Sequence, residues 1–470
     1  MAIRRPILLN AFDMNTVGHI SHGLWRHPRD RSTEYKRLPY WLALARTLER
    51  GLFDGLFLAD VTGVYDVWGA SPDAALRHAV QVPINDPAVL VSAMASVTRH
   101  LGFGITATIG AESPHAFARR MSTLDHLSEG RIGWNIVTGF LDSSARAGGQ
   151  PAAQAHDERY DRADEFMDLV YQLWEASWDD DAAVADRQRG VYTEPGRVRR
   201  IRHEGRYYQL DAIHLSEPSP QRTPLLFQAG ASRRGTAFAA RHAEIVFVPN
   251  QGLAATAKVV RGIRRALEEA GREARDVRFV TTLQVVTGRS ESEARERYDE
   301  YRACAQPEAG LVQFASAIGV DLSRLGPDDP VSSGSADAIQ TSVASLHARG
   351  GASSPTVREL IAQMPLGGRH APVVGTPRQI ADEIEAWVDD AGVDGFNLVR
   401  TVSPEGVEHF VDLVVPELQR RGLHKNSYAE GAWREKVFGA GRARLPATHA
   451  GARWRPDAGT PAHSSNPGSS

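Results

Sequence analysis

Two polar residues interrupt apolar runs at positions where chemistry could be done. Asn135 lies within residues 131–138 (RIGWNIVT), and Thr106 lies near the end of residues 102–109. A buried amide without partners costs about 1–3 kcal/mol. Asn135 therefore either bonds neighbouring backbone or aims at a ligand, and the sequence leaves both open. A second candidate is Gln228-Ala229-Gly230-Ala231-Ser232-Arg233-Arg234-Gly235, which follows an apolar run and opens a helix. Gly230 permits close backbone approach, Ser232 suits an N-cap, and free N–H groups at a helix start attract phosphate. A tight turn with a serine cap is the alternative. His156-Asp157-Glu158-Arg159-Tyr160-Asp161 opens another helix. Its acids suit the helix dipole. That leaves His156 and Tyr160 with reach to a ligand phosphate or hydroxyl.

Other chemistries lack their residues. The chain has no GxxxxGK[ST] loop, no HExxH and no GxSxG elbow. Residues 102–107 (GFGITA) match GxGxxA, but inside a strand rather than between strand and helix, so no dinucleotide role is expected. Cys304 is the single cysteine, which excludes a disulfide framework and any CxxC site. His19, His22 and His27 cluster near Trp25, but their spacing fits no zinc pattern, and no metal is expected.

The elements that position these residues alternate in type. Strand-like runs at 7–12, 55–59, 102–109, 131–138, 225–228, 244–248, 277–286 and 395–400 are each followed by a helical stretch. Near-continuous apolar strands between amphipathic helices imply a parallel sheet buried on both faces. Eight units fit a (β/α)8 TIM barrel. A doubly wound sheet remains open, because a sequence does not show closure. In a barrel, functional groups sit at strand C-terminal ends, which selects Asp60, Thr106–Thr108, Asn135–Thr138 and Gln228–Ser232. Residues 1–438 read as one domain, with an insertion at about 289–374 over the mouth. Residues 439–470, rich in Gly, Pro, Ser and Ala, read as a disordered tail. Lys+Arg is 54 against 57 Asp+Glu, so a broadly basic nucleic-acid binder is excluded. No run approaches the roughly 18 apolar residues of a membrane span, and a cytoplasmic protein is expected.

Seven stretches together resemble a known family. They are LNAFDM (9–14), GLWRHP (23–28), ARTLERGLFDGLFLAD (45–60), ARRMSTLDHLSEGRIGWNIVTG (118–139), HDERYDRADEF (156–166), SEPSPQRTPLLFQAGASRRG (216–235) and DGFNL (394–398). The chain resembles the flavin-dependent monooxygenases of the bacterial-luciferase-like superfamily. It is most similar to the group with nitrilotriacetate, dimethyl sulfide and dibenzothiophene sulfone monooxygenases and pristinamycin synthase. The resemblance implies a luciferase-like barrel with FMN at the mouth. It implies reduced FMN delivered by diffusion from a separate NAD(P)H:flavin reductase, and a flavin peroxide formed with dioxygen. It places Asp60, Thr106 and Asn135 around the isoalloxazine, and His156 and Tyr160 on the ribityl-phosphate side. Gly230, Ala231 and Ser232 would hold the phosphate. Thr106 and Asn135 would be the catalytic pair, orienting dioxygen over flavin nitrogen 5, with carbon 4a as the competing site. A homodimer or homotetramer is implied.

Phe12, Met14, His19, Trp25, Tyr65 and Trp68 are candidate substrate-pocket residues near the first two strands. Their apolar and aromatic character favours a small hydrophobic organosulfur or halogenated aromatic compound. The alternative for them is core packing. The alternatives for the whole protein are an aminopolycarboxylate monooxygenase, a non-catalytic flavin-binding barrel, or a deazaflavin-dependent dehydrogenase.

Overall fold

The computed structural model describes residues 5–230, 232–331, 354–368 and 371–456. Eight parallel strands form the centre. They are β1 (Leu8–Met14), β2 (Gly55–Ala59), β3 (Gly102–Thr108), β4 (Ile132–Val137), β5 (Leu225–Ala229), β6 (Ile245–Phe247), β7 (Arg278–Thr287) and β8 (Gly395–Val399). Each pairs with the next, and β8 returns to β1 through Gly395↔Leu8 and Asn397↔Asn10. The ring is therefore closed, and the doubly wound alternative falls.

Alternation along each strand decides what faces the barrel axis. Leu56, Leu58, Phe103, Ile105, Trp134 and Ile136 point outward into the main core beneath the helices. The opposite residues fill the interior in layers. At the N-terminal end of the strands, the Trp433 indole lies across the axis, and a Cβ at Gly55, Gly102 or Gly133 would strike its ring. Asn10 and Asn397 bond across β1 and β8 at 3.0 Å. Above them Phe12, Phe57, Phe227 and Phe247 meet edge to face or tilted, with centroids 4.6–6.5 Å apart. This aromatic layer is the floor of the mouth.

The helices follow the sequence pattern closely. Pro39 sits in the first turn of Leu38–Arg50. Ser113 caps Pro114–Leu127 by accepting from the Ala116 N–H at 3.3 Å. The polar connection between the helix at 156–171 and β5 is not shapeless. It holds two short antiparallel hairpins, Ala183–Asp186 with Val191–Thr193 and Ile201–Glu204 with Gln209–Ala212. Between β7 and the helix Pro377–Ala386 lies a long segment with further elements. Its described parts include helices Glu291–Cys304, Pro307–Ile318 and Val357–Ala362, with a small core of their own around Leu311, Phe314, Leu322 and Leu360.

The expected tail begins later than the composition suggests. Residues 439–456 pack on the barrel rather than hanging free. Leu445 and His449 are buried there. Arg442 pairs with Asp276 at 2.5 Å, and Arg453 with Asp168 at 2.7 Å. Single anchoring side chains hold this segment, so no apolar period announces it. The expectation for residues 457–470 lies outside the described residues. No helix among the described residues is long and apolar enough to cross a membrane.

Candidate active site

The C-terminal ends of β3 and β4 bring the two interrupting polar residues together. Their register pairs Thr106 with Asn135. Both face inward above the phenylalanine floor, and both are buried. The Asn135 Nδ2 donates to Thr106 Oγ1 at 2.9 Å. Asn135 Oδ1 is buried and has no partner among the described residues. Asn10 and Asn397, closed in below the phenylalanine floor, also leave one amide atom each unpartnered among the described residues, but Asn135 lies above the floor, where a ligand can reach it. The orphaned oxygen thus favours the ligand-facing reading over the backbone-bonded one.

A cradle lies next to this pair, at the top of β5. Ser232 caps the helix Arg233–His242, accepting from the Gly235 N–H at 3.0 Å. Across from it stand the first residues of the helix His156–Tyr171. The His156 Nε2 approaches Ser232 Oγ at 3.4 Å. Tyr160 is buried, its hydroxyl bonds Ser232, and burial pushes that hydroxyl up from its ordinary pKa. At the two glycines a side chain would displace the polar ends that line the cradle. A Cβ at Gly230 would lie 2.6 Å from Gln228 Nε2, and one at Gly235 would lie 2.9 Å from Tyr160 Oη. Backbone N–H groups at a helix start, a hydroxyl, an imidazole and a phenol thus converge on one spot. That is the donor set a phosphate needs. Of the predicted phosphate residues, Gly230 and Ser232 are placed here, and Ala231 lies outside the described residues.

Asp60 ends β2 on the same rim. Its Oδ1 accepts from the Val61 N–H at 2.9 Å. Burial raises its pKa to about 6, helped by Asp86 and opposed by Arg120.

The predicted substrate residues divide. Phe12 belongs to the floor, and His19 packs edge-on against it at 4.5 Å. His19 is buried, and burial drives its pKa well below the ordinary histidine value, so its ring is neutral. Met14, at the end of β1, is buried beside them in sequence. Tyr65 donates to Gln81 Oε1 at 2.6 Å and sits in a satellite core with Ala309 and Val312 of the insertion. Trp68 packs on that core and on the neighbouring insertion core. Trp25 lies in the turn Leu24–Arg26, which rests on the helix Glu291–Cys304. Tyr65 and Trp68 thus pack the insertion against the barrel.

Arg159 and Gln284 escaped the sequence reading as site residues, and Gln228 was selected there only as the start of the run 228–232. Gln228 is buried on β5 with its Oε1 unpartnered among the described residues, and its Nε2 lies under Gly230. Arg159 is buried one turn into the helix His156–Tyr171 and donates to the Gly139 carbonyl at the top of β4. Gln284 is buried on the inward face of β7. A lone polar residue in an apolar strand, the signal that marked Asn135, also marks Gln228, whereas Gln284 shares its strand with Thr281 and Thr282 and does not stand out.

Comparison with known proteins bears on this geometry. Residues 20–395 match the family of luciferase-like monooxygenases. The chain belongs to the luciferase-like monooxygenase family. A dimethyl-sulfide monooxygenase of Hyphomicrobium sulfonivorans is 46% identical over 96% of this chain and 94% of its own length. The crystal structure of a long-chain alkane monooxygenase superposes with a TM-score of 0.89 at 44% identity, over 96% of this chain and 100% of that one. A riboflavin lyase, solved with modified FMN and riboflavin, gives a TM-score of 0.89 at 36% identity over 96% of this chain and 100% of its own. These full-length luciferase-like relatives share the closed eight-stranded barrel.

Proposed function

We propose that this luciferase-like protein is the oxygenating component of a two-component flavin monooxygenase. A separate NAD(P)H:flavin reductase supplies reduced FMN, and a small, mostly hydrophobic molecule of the organosulfur or halogenated aromatic kind receives the oxygen. The observation that carries this reading is the buried Asn135–Thr106 pair with its orphaned Oδ1, beside a cradle of glycine backbone, hydroxyl, imidazole and phenol.

The cradle of Gly230, Ser232, His156 and Tyr160 would hold the FMN phosphate. Arg234, drawn to Asp161 at 2.9 Å and Asp164 at 2.7 Å, braces the two helices that form it. Asn135 and Thr106 would present a fixed amide and hydroxyl to the isoalloxazine edge and to dioxygen. Asp60 borders the same ring. The phenylalanine floor seals the mouth from below and keeps water out. Reduced FMN, when bound, supplies the electrons that send one oxygen atom to substrate and the other to water. A cytoplasmic setting and assembly into a homodimer or homotetramer go with this reading, and light scattering checks the second.

The test is a substrate panel with NADH, FMN, a flavin reductase and isotopically labelled dioxygen. Label is expected in one product. Thr106→Val and Asn135→Ala are each expected to abolish incorporation while FMN still binds. Unchanged turnover in both variants overturns the assignment of the pair.

A further inference from the structure

A cavity of about 770 Å³ opens beside the mouth, on the arc from β6 to β8. Thr282, Gln284 and Val399 form its inner wall. They are inward residues of β7 and β8, paired Thr282↔Asn397 and Gln284↔Val399 in the ladder. In an eight-stranded ring β7 stands opposite β3, so this wall faces Thr106 across the axis. The cradle and the Thr106–Asn135 pair occupy the β3–β5 arc. The cavity occupies the other half of the ring, under the insertion, which contributes Gln313 and Gln363.

Two features of the lining define what fits. The first is charge. Among the described residues that line the cavity there is no Lys, Arg or His, and the one ionisable group is Glu383. Its Oε1 already accepts from Trp387 Nε1 at 2.9 Å. A polycarboxylate there would leave water without meeting a cation among the described lining residues, and would face the Glu383 carboxylate. The second feature is a set of carboxamides, each held by one bond. Asn250 donates to the Thr282 carbonyl at 3.0 Å, and Gln284 donates to Ser21 Oγ at 2.6 Å. Gln313 Oε1 lies 3.3 Å from His22 Nε2. The opposite end of each amide has no protein partner among the described residues. These neutral donors and acceptors are fixed before any ligand arrives, which lowers the cost of binding. Ile20, Val373 and Val399 supply the apolar remainder. The volume is that of a site for a mid-sized organic molecule, and far exceeds what a few-atom sulfide fills.

We infer that this cavity is the substrate compartment, and that it selects neutral, largely apolar molecules bearing a hydroxyl or amide group over carboxylates. The role as substrate compartment rests on the flavin monooxygenase reading. The binding preference does not.

The experiment is calorimetric titration of the FMN-saturated protein with three matched probes: 2-hydroxybiphenyl, biphenyl and biphenyl-2-carboxylate. The hydroxyl compound is expected to bind about tenfold tighter than biphenyl, the worth of one good hydrogen bond, and the carboxylate weakest of all. Ala255→Trp fills the cavity and is expected to weaken 2-hydroxybiphenyl by at least about tenfold, with FMN affinity unchanged. Gln251→Arg places a cation on the wall and is expected to reverse the order of hydroxyl and carboxylate. The inference is overturned if the wild-type protein binds the carboxylate as tightly as the hydroxyl compound, or binds neither. It is also overturned if both variants melt like wild type and bind like wild type. Repeating the titration without FMN separates the two readings. Probe binding with no FMN affinity refutes the flavin reading and upholds the cavity.

Discussion

The double variant Thr106→Val/Asn135→Leu separates a ligand-facing pair from a fold-holding one. In the apoprotein, Asn135 Oδ1 is buried without a partner among the described residues. Leaving such a group unpaired costs about 1–3 kcal/mol. The variant removes that cost together with the Asn135–Thr106 bond, which contributes about 0.5–1.5 kcal/mol. Replacing both partners by apolar groups of similar shape leaves nothing new unsatisfied. The apoprotein is therefore expected to be unchanged or more stable by about 1 kcal/mol. Flavin binding moves the other way. If FMN supplies the missing partner of Oδ1 and meets the Thr106 hydroxyl, about 2 kcal/mol disappears, a loss near 30-fold in Kd. Urea unfolding of the apoprotein and fluorescence titration with FMN measure the two quantities separately. An apoprotein weakened by more than about 2 kcal/mol, with FMN affinity intact, would show that the pair holds the barrel together and not the ligand.

Three further outcomes follow from the same structure. Gly230→Ala forces a Cβ to 2.6 Å from Gln228 Nε2 and 3.2 Å from Tyr160 Oη, so FMN affinity should fall by at least about tenfold on titration. Asp60 rises from 3.8 to about 6 on folding, so the folded protein keeps a proton that the unfolded chain has released. Its contribution is full below pH 3.8 and lost as pH rises through about 6; Asp60→Asn should remove that slope from a plot of melting temperature against pH. Deleting residues 439–470 strips the Arg442 partner from buried Asp276 and uncovers Leu445, and should cost roughly 2–5 kcal/mol in urea unfolding. An unshifted urea midpoint would mean that the packed segment adds no stability.

What was legible in the chain was what repeats. Each barrel strand is an apolar run between amphipathic helices, and Ser232 marks a helix start that the structure places where the sequence puts it. Asn135 stood out because one amide in an apolar strand breaks that pattern, and its neighbour in the ladder, Thr106, came with it. The rest depends on contacts between distant parts of the chain. Tyr65 and Trp68 looked like pocket walls because they follow β2. They are claimed instead by Ala309, Val312 and Phe314, about 240 residues later. The 770 Å³ cavity is assembled from residues 250–255 after β6, from β7, β8, the insertion and Trp387, and no local pattern joins those pieces. The packed segment 439–456 gave no signal because single anchors such as Arg442 and His449 have no period to detect.

The Trp433 indole under the barrel fixes an order of events during synthesis. Gly55, Gly102 and Gly133 lack side chains where that ring lies, so the space they leave stays empty until residue 433 has been made. By then β1 through β8 have all been translated. A released chain ending just after Val399 would hold every barrel strand and still lack the ring that fills its base. The Arg434 guanidinium, paired with Glu244 at 2.7 Å in full burial, arrives with the same short helix. Released chains ending at successive positions across residues 430–440 should therefore gain protease resistance within those few residues rather than at the last strand.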